Sequence, residues 1–164
     1  MKQNIFLIGN PAAGRKALRK INEAATIIKN RGHNIEMLLT GKREDAESFA
    51  REIVRKSEAN SSLLIIAAGG DGTYNEVING IACTNIPMAI LPLGTTNVLA
   101  KELNIPDDVE KGVDIALNGK IHTVCLGKIT SNPPSLITRY FLLMAGIGYD
   151  GETVYGIKKG LKKY

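Results

Sequence analysis

The chain has 164 residues, 44% of them hydrophobic and 23% charged, proportions that exclude a disordered, collagen-like or coiled-coil chain. The length suits one domain and a fraction of another, since domains run about 100 to 200 residues, and a surplus of 21 basic over 16 acidic residues gives a net charge of +5. That balance does not call for nucleic acid, no basic strip interleaved with aromatics is present, and the two cysteines, Cys83 and Cys125, make neither a disulfide framework nor a zinc pair.

The first apolar run, Ile5 to Gly9, stops at Asn10-Pro11 and reads as a buried strand over 2–9. It is too short for a signal peptide, and no other run reaches a membrane span. A soluble, cytoplasmic protein in a reducing compartment is expected. Leu18, Ile21, Ala25 and Ile28 recur at helical spacing, so a helix is predicted over 15–31, ending at Gly32. A strand over 34–39 follows, then a helix over 44–57 with Ala46, Phe49, Ala50 and Ile53 on one face, then the uninterrupted apolar strand 63–68. After Gly69-Gly70 the pattern predicts a helix to Ile81, a strand over 88–91, a short helix over 96–103 and another over 108–118.

Continuously apolar strands alternating with helices describe a parallel sheet covered on both faces, a doubly wound, Rossmann-like α/β fold over 1–120. From Lys120 the character changes. Strands over 122–130 and 138–146, joined by the loop 131–135, predict a hairpin that opens a β-rich second unit over 121–164, with Cys125 as a small buried hydrophobe on its first strand. Forty residues are too few for that unit to stand alone, so it reads as incomplete.

Three glycine-bearing junctions follow strands: Asn10-Pro11-Ala12-Ala13-Gly14, Gly69-Gly70-Asp71-Gly72-Thr73, and Pro92-Leu93-Gly94-Thr95-Thr96-Asn97. All three are expected on the carboxyl rim of the sheet, where open α/β folds bind ligands. Glycines there admit close approach to the main chain, and the helix after Gly70 presents free N–H groups and a positive dipole end, so phosphate is the expected occupant. Thr73 and Glu76, three apart, are expected to form a capping box. His33 and His122 stand alone and receive no role.

In their order and spacing these segments resemble the diacylglycerol kinase catalytic family, which also holds sphingosine, ceramide and bacterial lipid kinases. Ala145-Gly146-Ile147-Gly148-Tyr149-Asp150 is similar to the glycine-rich strand that begins the family's second domain. The resemblance implies transfer of phosphate from ATP to a lipid hydroxyl such as that of diacylglycerol, with Mg²⁺. It places Asn10, Pro11, Ala12, Ala13, Gly14, Thr40, Gly69, Gly70, Asp71, Gly72, Thr73, Asn75, Glu76, Gly94, Thr95 and Asn97 around the nucleotide. Asp71 is implied either to hold the metal through water or to accept the hydroxyl proton, as in the sphingosine kinase branch; the bacterial branch gives the proton role to an acidic residue late in the second domain, a region absent here. Two positions depart from the family: Val98 follows Asn97 where an acidic residue is frequent, and Cys125 stands where aspartate is common. Both changes thin any carboxylate network around Asp71.

Two other classes stay open at this point. NAD kinases share the Gly-Gly-Asp-Gly-Thr loop, although Asn10-Pro11 and the Pro92 to Asn97 loop depart from their pattern. The chain could also bind nucleotide without turnover, if the parts needed for catalysis lie outside it. Expected partners are ATP and a lipid at a membrane surface. Lys158, Lys159, Lys162 and Lys163 are basic enough to face anionic lipid, and an open sheet edge would allow a homodimer.

Overall fold

The computed structural model of the chain describes residues 3–57, 62–132 and 136–146. Four strands, β1 (Asn4–Gly9), β2 (Asn34–Leu39), β3 (Leu63–Gly69) and β4 (Met88–Pro92), alternate with α1 (Ala17–Asn30), α2 (Asp45–Lys56), α3 (Asp71–Ile81), α4 (Val98–Glu102) and α5 (Val109–Asn118). The strands form one sheet in the order β2-β1-β3-β4, and every pairing is parallel. The α/β fold is the one expected. Because β1 lies between β2 and β3, the chain leaves β1 in one direction and returns on its other side, which puts the switch point between β1 and β3.

Successive side chains of a strand point to opposite faces, and the core divides accordingly. Ile5 and Leu7 of β1 with Leu64, Ile66 and Ala68 of β3 pack against α1 and α5. Ile8, Ile65, Ala67 and Ile90 pack against α2, α3 and α4. Both faces are therefore apolar, and β3, in the middle, is buried along most of its length. Each fully buried Leu or Ile contributes roughly 1.5 to 3 kcal/mol, so this central strand is the hardest part of the sheet to displace.

The helix faces differ from expectation in one place. In α1 the buried residues are Ala17, Ile21, Ala24 and Ile28, while Leu18 is 46% exposed. Two overlapping stripes are apolar here, and the one with small alanines lets the helix lie closer to the sheet. In α2 the apolar stripe Ala46, Ala50 and Ile53 is as expected, but Glu47 is buried beside it.

The β-rich part is shorter than its sequence pattern. The hairpin pairs β5 (Gly127–Thr130) with β6 (Thr138–Phe141) in antiparallel register, Lys128 opposite Tyr140. Residues 121–126 form no strand, and Cys125 is exposed rather than buried. The apolar run around Val124 has no covering layer here, so neither a ladder nor a core claims it; Ile121 and Val124 are exposed as well. Residues 142–146 likewise leave the ladder. Part of the 131–135 loop, the end of the 145–150 motif and the lysine-rich tail lie outside the described residues.

β6 is tied to the α/β unit by Glu47. Its carboxylate accepts from Arg51 one turn along α2 and, at 2.7 Å, from Arg139 of β6. Desolvation pushes the Glu47 carboxyl up, but the hydrogen bonds and charges of Arg51 and Arg139 outweigh it and hold the group below its ordinary value of 4.5. A carboxyl depressed in the folded state stabilises above its unfolded pKa and loses that contribution as pH falls through the folded one. Glu47→Gln should therefore melt below the unaltered chain at pH 7, and the difference should shrink as the pH is lowered from about 5 toward 3. Thermal melts of both chains across that range check it; a gap independent of pH would contradict the pairing.

Candidate functional site

The three glycine-bearing loops meet. With all strands parallel, the carboxyl ends of β1, β3 and β4 open on one rim, and main-chain bonds tie them together. The Asn10 N–H donates to Ala68 O at 2.8 Å, and the N–H groups of Leu93 and Gly94 both donate to Gly69 O at 2.7 and 3.0 Å. Contact between the loops is close enough to require glycine at two positions. A Cβ on Gly14 would lie 2.7 Å from Leu93 O, and one on Gly94 would lie 2.9 Å from Gly70 Cα and 2.6 Å from Asn97 Oδ1. Side chains at either place would push the loops apart.

Gly70 is the N-cap of α3, in extended backbone, and no side chain caps the helix. Its carbonyl accepts from Thr73 and Tyr74. Helix geometry leaves the N–H groups of Asp71 and Gly72 without an intrahelical acceptor, at the positive end of the helix. The expected capping box is thus absent: the helix begins three residues earlier, Thr73 sits inside the first turn, and its hydroxyl accepts from Asn10 Nδ2 at 3.4 Å. Glu76 instead reaches α2, where it accepts from the Ala46 N–H at 3.3 Å.

Tyr74 lies beneath this turn. Its buried hydroxyl stands 2.9 Å from Gly69 O and 3.1 Å from Leu91 O, carbonyls at the ends of adjacent strands. One phenolic proton serves both. Burial, and then the charge of Asp71, push the phenol far above its ordinary range, so it remains a neutral donor.

Asp71 itself holds the third loop. Its Oδ2 accepts from the Val98 N–H and its Oδ1 from the Leu99 N–H, each at 3.0 Å. The carboxylate of one helix thereby caps the next, because Asn97, the N-cap of α4, makes no side-chain cap. Asn97 has a left-handed backbone, φ 47°, and its Nδ2 donates to Gly94 O at 2.8 Å. Its Oδ1 is buried among the loops with no partner. An orphaned acceptor at that place is suited to a donor from outside the chain, such as a hydroxyl or water.

The remaining expected residues spread outward. The Asn10 carboxamide also closes its own loop by accepting from the Ala12 N–H, and Ala13 packs on the core. Pro11 is partly buried, and Gly72 and Thr95 are exposed. Thr40 lies on the same rim, its N–H on Gly9 O at 2.9 Å. Asn75 leaves the turn and lines a cleft with Asp71, Tyr74, Ile78, Leu99 and the segment Phe141–Met144. That cleft is mainly apolar, with Asp71, Tyr74 and Asn75 as its polar side chains. No cluster of three His, Cys, Asp or Glu side chains that could hold a metal is found among the described residues. Asp71 gives one acceptor on each carboxylate oxygen to a main-chain N–H group, which leaves one lone pair free on each oxygen.

Comparison with known proteins points to one family. A profile of the diacylglycerol kinase catalytic domain matches residues 4–129. A diacylglycerol kinase of Staphylococcus epidermidis is 33% identical over 99% of this chain and 49% of its own length. One from Bacillus subtilis is 34% identical over 95% of this chain and 49% of its own length. The chain thus spans about half the length of these curated relatives. The crystal structure of a diacylglycerol kinase from Bacillus anthracis superposes with a TM-score of 0.62, at 24% identity, over 76% of this chain and 42% of that one; it bears on the fold alone.

Tyr74→Phe removes one buried donor from two carbonyls and should cost about 1 to 3 kcal/mol of stability. Urea denaturation monitored by far-ultraviolet circular dichroism measures it. An unchanged midpoint would mean that the hydroxyl does not hold the ends of β3 and β4 together.

Proposed function

The chain belongs to the diacylglycerol kinase catalytic family, and from that membership we propose that it forms the nucleotide-binding part of an ATP-dependent lipid kinase. The observation that carries the proposal is the convergence of three loops at the switch point, with Asp71 at the edge of an apolar cleft. Polyphosphate lies against the free N–H groups of Asp71 and Gly72, each charge-assisted bond contributing roughly 1.5 to 3 kcal/mol. The buried Asn97 Oδ1 accepts from a hydroxyl or water brought by the nucleotide.

The lipid hydroxyl approaches from the cleft side. Its oxygen forms a bond to the γ-phosphorus of ATP, the bond from that phosphorus to the β–γ bridging oxygen breaks, and ADP leaves. Asp71 takes the hydroxyl proton: each carboxylate oxygen keeps a free lone pair beyond its bond to Val98 or Leu99. Those two N–H groups fix the orientation of the acceptor oxygens, which is the positioning that phosphoryl transfer demands of a protein. An apolar cleft suits an acceptor whose reacting hydroxyl is attached to acyl chains, and this favours a lipid over NAD. A magnesium ion arriving with ATP would neutralise phosphate charge, and no described cluster is placed to hold it without the nucleotide.

The test of the reaction is labelled ATP supplied to the intact gene product with diacylglycerol, sphingosine, phosphatidylglycerol or NAD as acceptor. Label is expected on diacylglycerol in mixed micelles; label on NAD alone would refute the lipid reading. Gly94→Ala should weaken ADP binding by about tenfold or more, since its Cβ would enter the space of Asn97 Oδ1 and Gly70 Cα. Isothermal titration on this chain reads the affinity, and an unaltered value would show that the loops do not need to touch to hold nucleotide.

A further inference from the structure

One polar side chain on α3 has no part in the phosphate turn. Asn79 is 6% exposed and stands two turns along the helix from Asp71, with Asn75 between them at the same four-residue spacing. These three positions share one face of the helix. The Asn79 carboxamide meets both main-chain groups of a single residue of β6: Nδ2 donates to Tyr140 O at 2.9 Å, and Oδ1 accepts from the Tyr140 N–H at 2.9 Å. A second Nδ2 proton goes to Asn75 O at 2.8 Å. The amide of Asn79 thus behaves as an extra strand residue. Only a side chain with a donor and an acceptor at amide spacing can do this.

The consequence is a fixed register. In an antiparallel pair the N–H and C=O of one residue point to the same side, and those of its neighbours point to the other. Asn79 can therefore accept β6 at Tyr140 but not at Arg139 or Phe141. A slip by one residue would exchange the faces of every following side chain. The segment that follows, Phe141–Met144, runs back along α3 and forms the wall of the cleft at Asp71. The Glu47–Arg139 pair holds the same strand one residue earlier.

Resting on the lipid-kinase reading, we propose that Asn79 is a positioning residue for the acceptor: by clasping Tyr140 it sets the width of the cleft in which the lipid hydroxyl meets Asp71. Its hydrogen bonds go to Tyr140 and to Asn75 O, and none goes to the Gly69–Gly72 turn. Its loss changes handling of the acceptor and leaves the nucleotide alone.

The experiment compares the intact gene product with its Asn79→Ala and Asn79→Asp variants. The aspartate keeps the acceptor for the Tyr140 N–H but sets oxygen against Tyr140 O, so it falls between the other two. In Asn79→Ala, kcat/KM for diacylglycerol should fall by about tenfold or more, as a misplacement near 1 Å allows. The affinity for ADP should stay within about twofold, and the Tyr140 amide should lose hydrogen-exchange protection while the amides of β1 and β3 keep theirs. Unchanged lipid kinetics with lost protection at Tyr140 would overturn the proposal, as would a parallel loss of ADP affinity and lipid turnover. An unaltered protein that phosphorylates no lipid would sink the underlying reading instead, a result separable because it appears before any substitution is made.

Discussion

The site depends on the way the carboxyl end of β3 is tied to its neighbours. Ala68 O and Gly69 O accept N–H groups from the loops after β1 and β4, and the Tyr74 hydroxyl lies against Gly69 O and Leu91 O from below. Five hydrogen-bond contacts among seven polar atoms are thereby made around the end of β3, at the point where strand order reverses. Buried main-chain groups left without partners would be costly. The loops consequently have little freedom to separate, and the N–H groups at the start of α3 lie beside their meeting point. On the proposed reading, loops fixed in this way lose little entropy when a phosphate enters.

Asp71 joins the structural and chemical demands. It begins α3 at the glycine turn, caps α4 through Val98 and Leu99, adds its charge to the burial that raises the Tyr74 phenol, and borders the cleft lined by Phe141–Met144. A substitution at Asp71 therefore loosens the third loop as well as removing a carboxylate. Its effect on turnover cannot by itself assign the proton to it, whereas the roles proposed for Gly94 and Asn79 separate nucleotide from acceptor. Val98, one of the two departures from the family pattern, meets this carboxylate through its N–H, while Cys125, the other, is exposed on a stretch without a strand.

The sheet, its parallel sense and the common rim of the three loops were legible because each rests on local signals: apolar runs of strand length, helical spacing, and glycines at fixed offsets after strands. Three features were misread for local reasons too. The Leu18 stripe competes with the Ala17 stripe one residue away, and packing distance decides between them. Thr73 and Glu76 have the spacing of a capping box, but the helix begins at Asp71 because Gly70 leaves it open to start there. The strand expected at 122–126 has the composition of a strand without a layer to cover it. Glu47, Tyr74 and Asn79 were not legible. Their partners, Arg139, Leu91 and Tyr140, lie 92, 17 and 61 residues away in the chain, and no short-range pattern marks a buried polar residue whose partner arrives with a later strand.

The most direct measurement is an amide chemical-shift titration of this chain with ADP and, separately, with pyrophosphate. The largest changes are expected at Asp71, Gly72 and Gly94, with both ligands moving the same three amides and pyrophosphate leaving Asn79 and Tyr140 in place. Shifts concentrated instead at the opposite edge of the sheet, around Gln3 and His33, would mean that the converging loops are not where the chain receives phosphate.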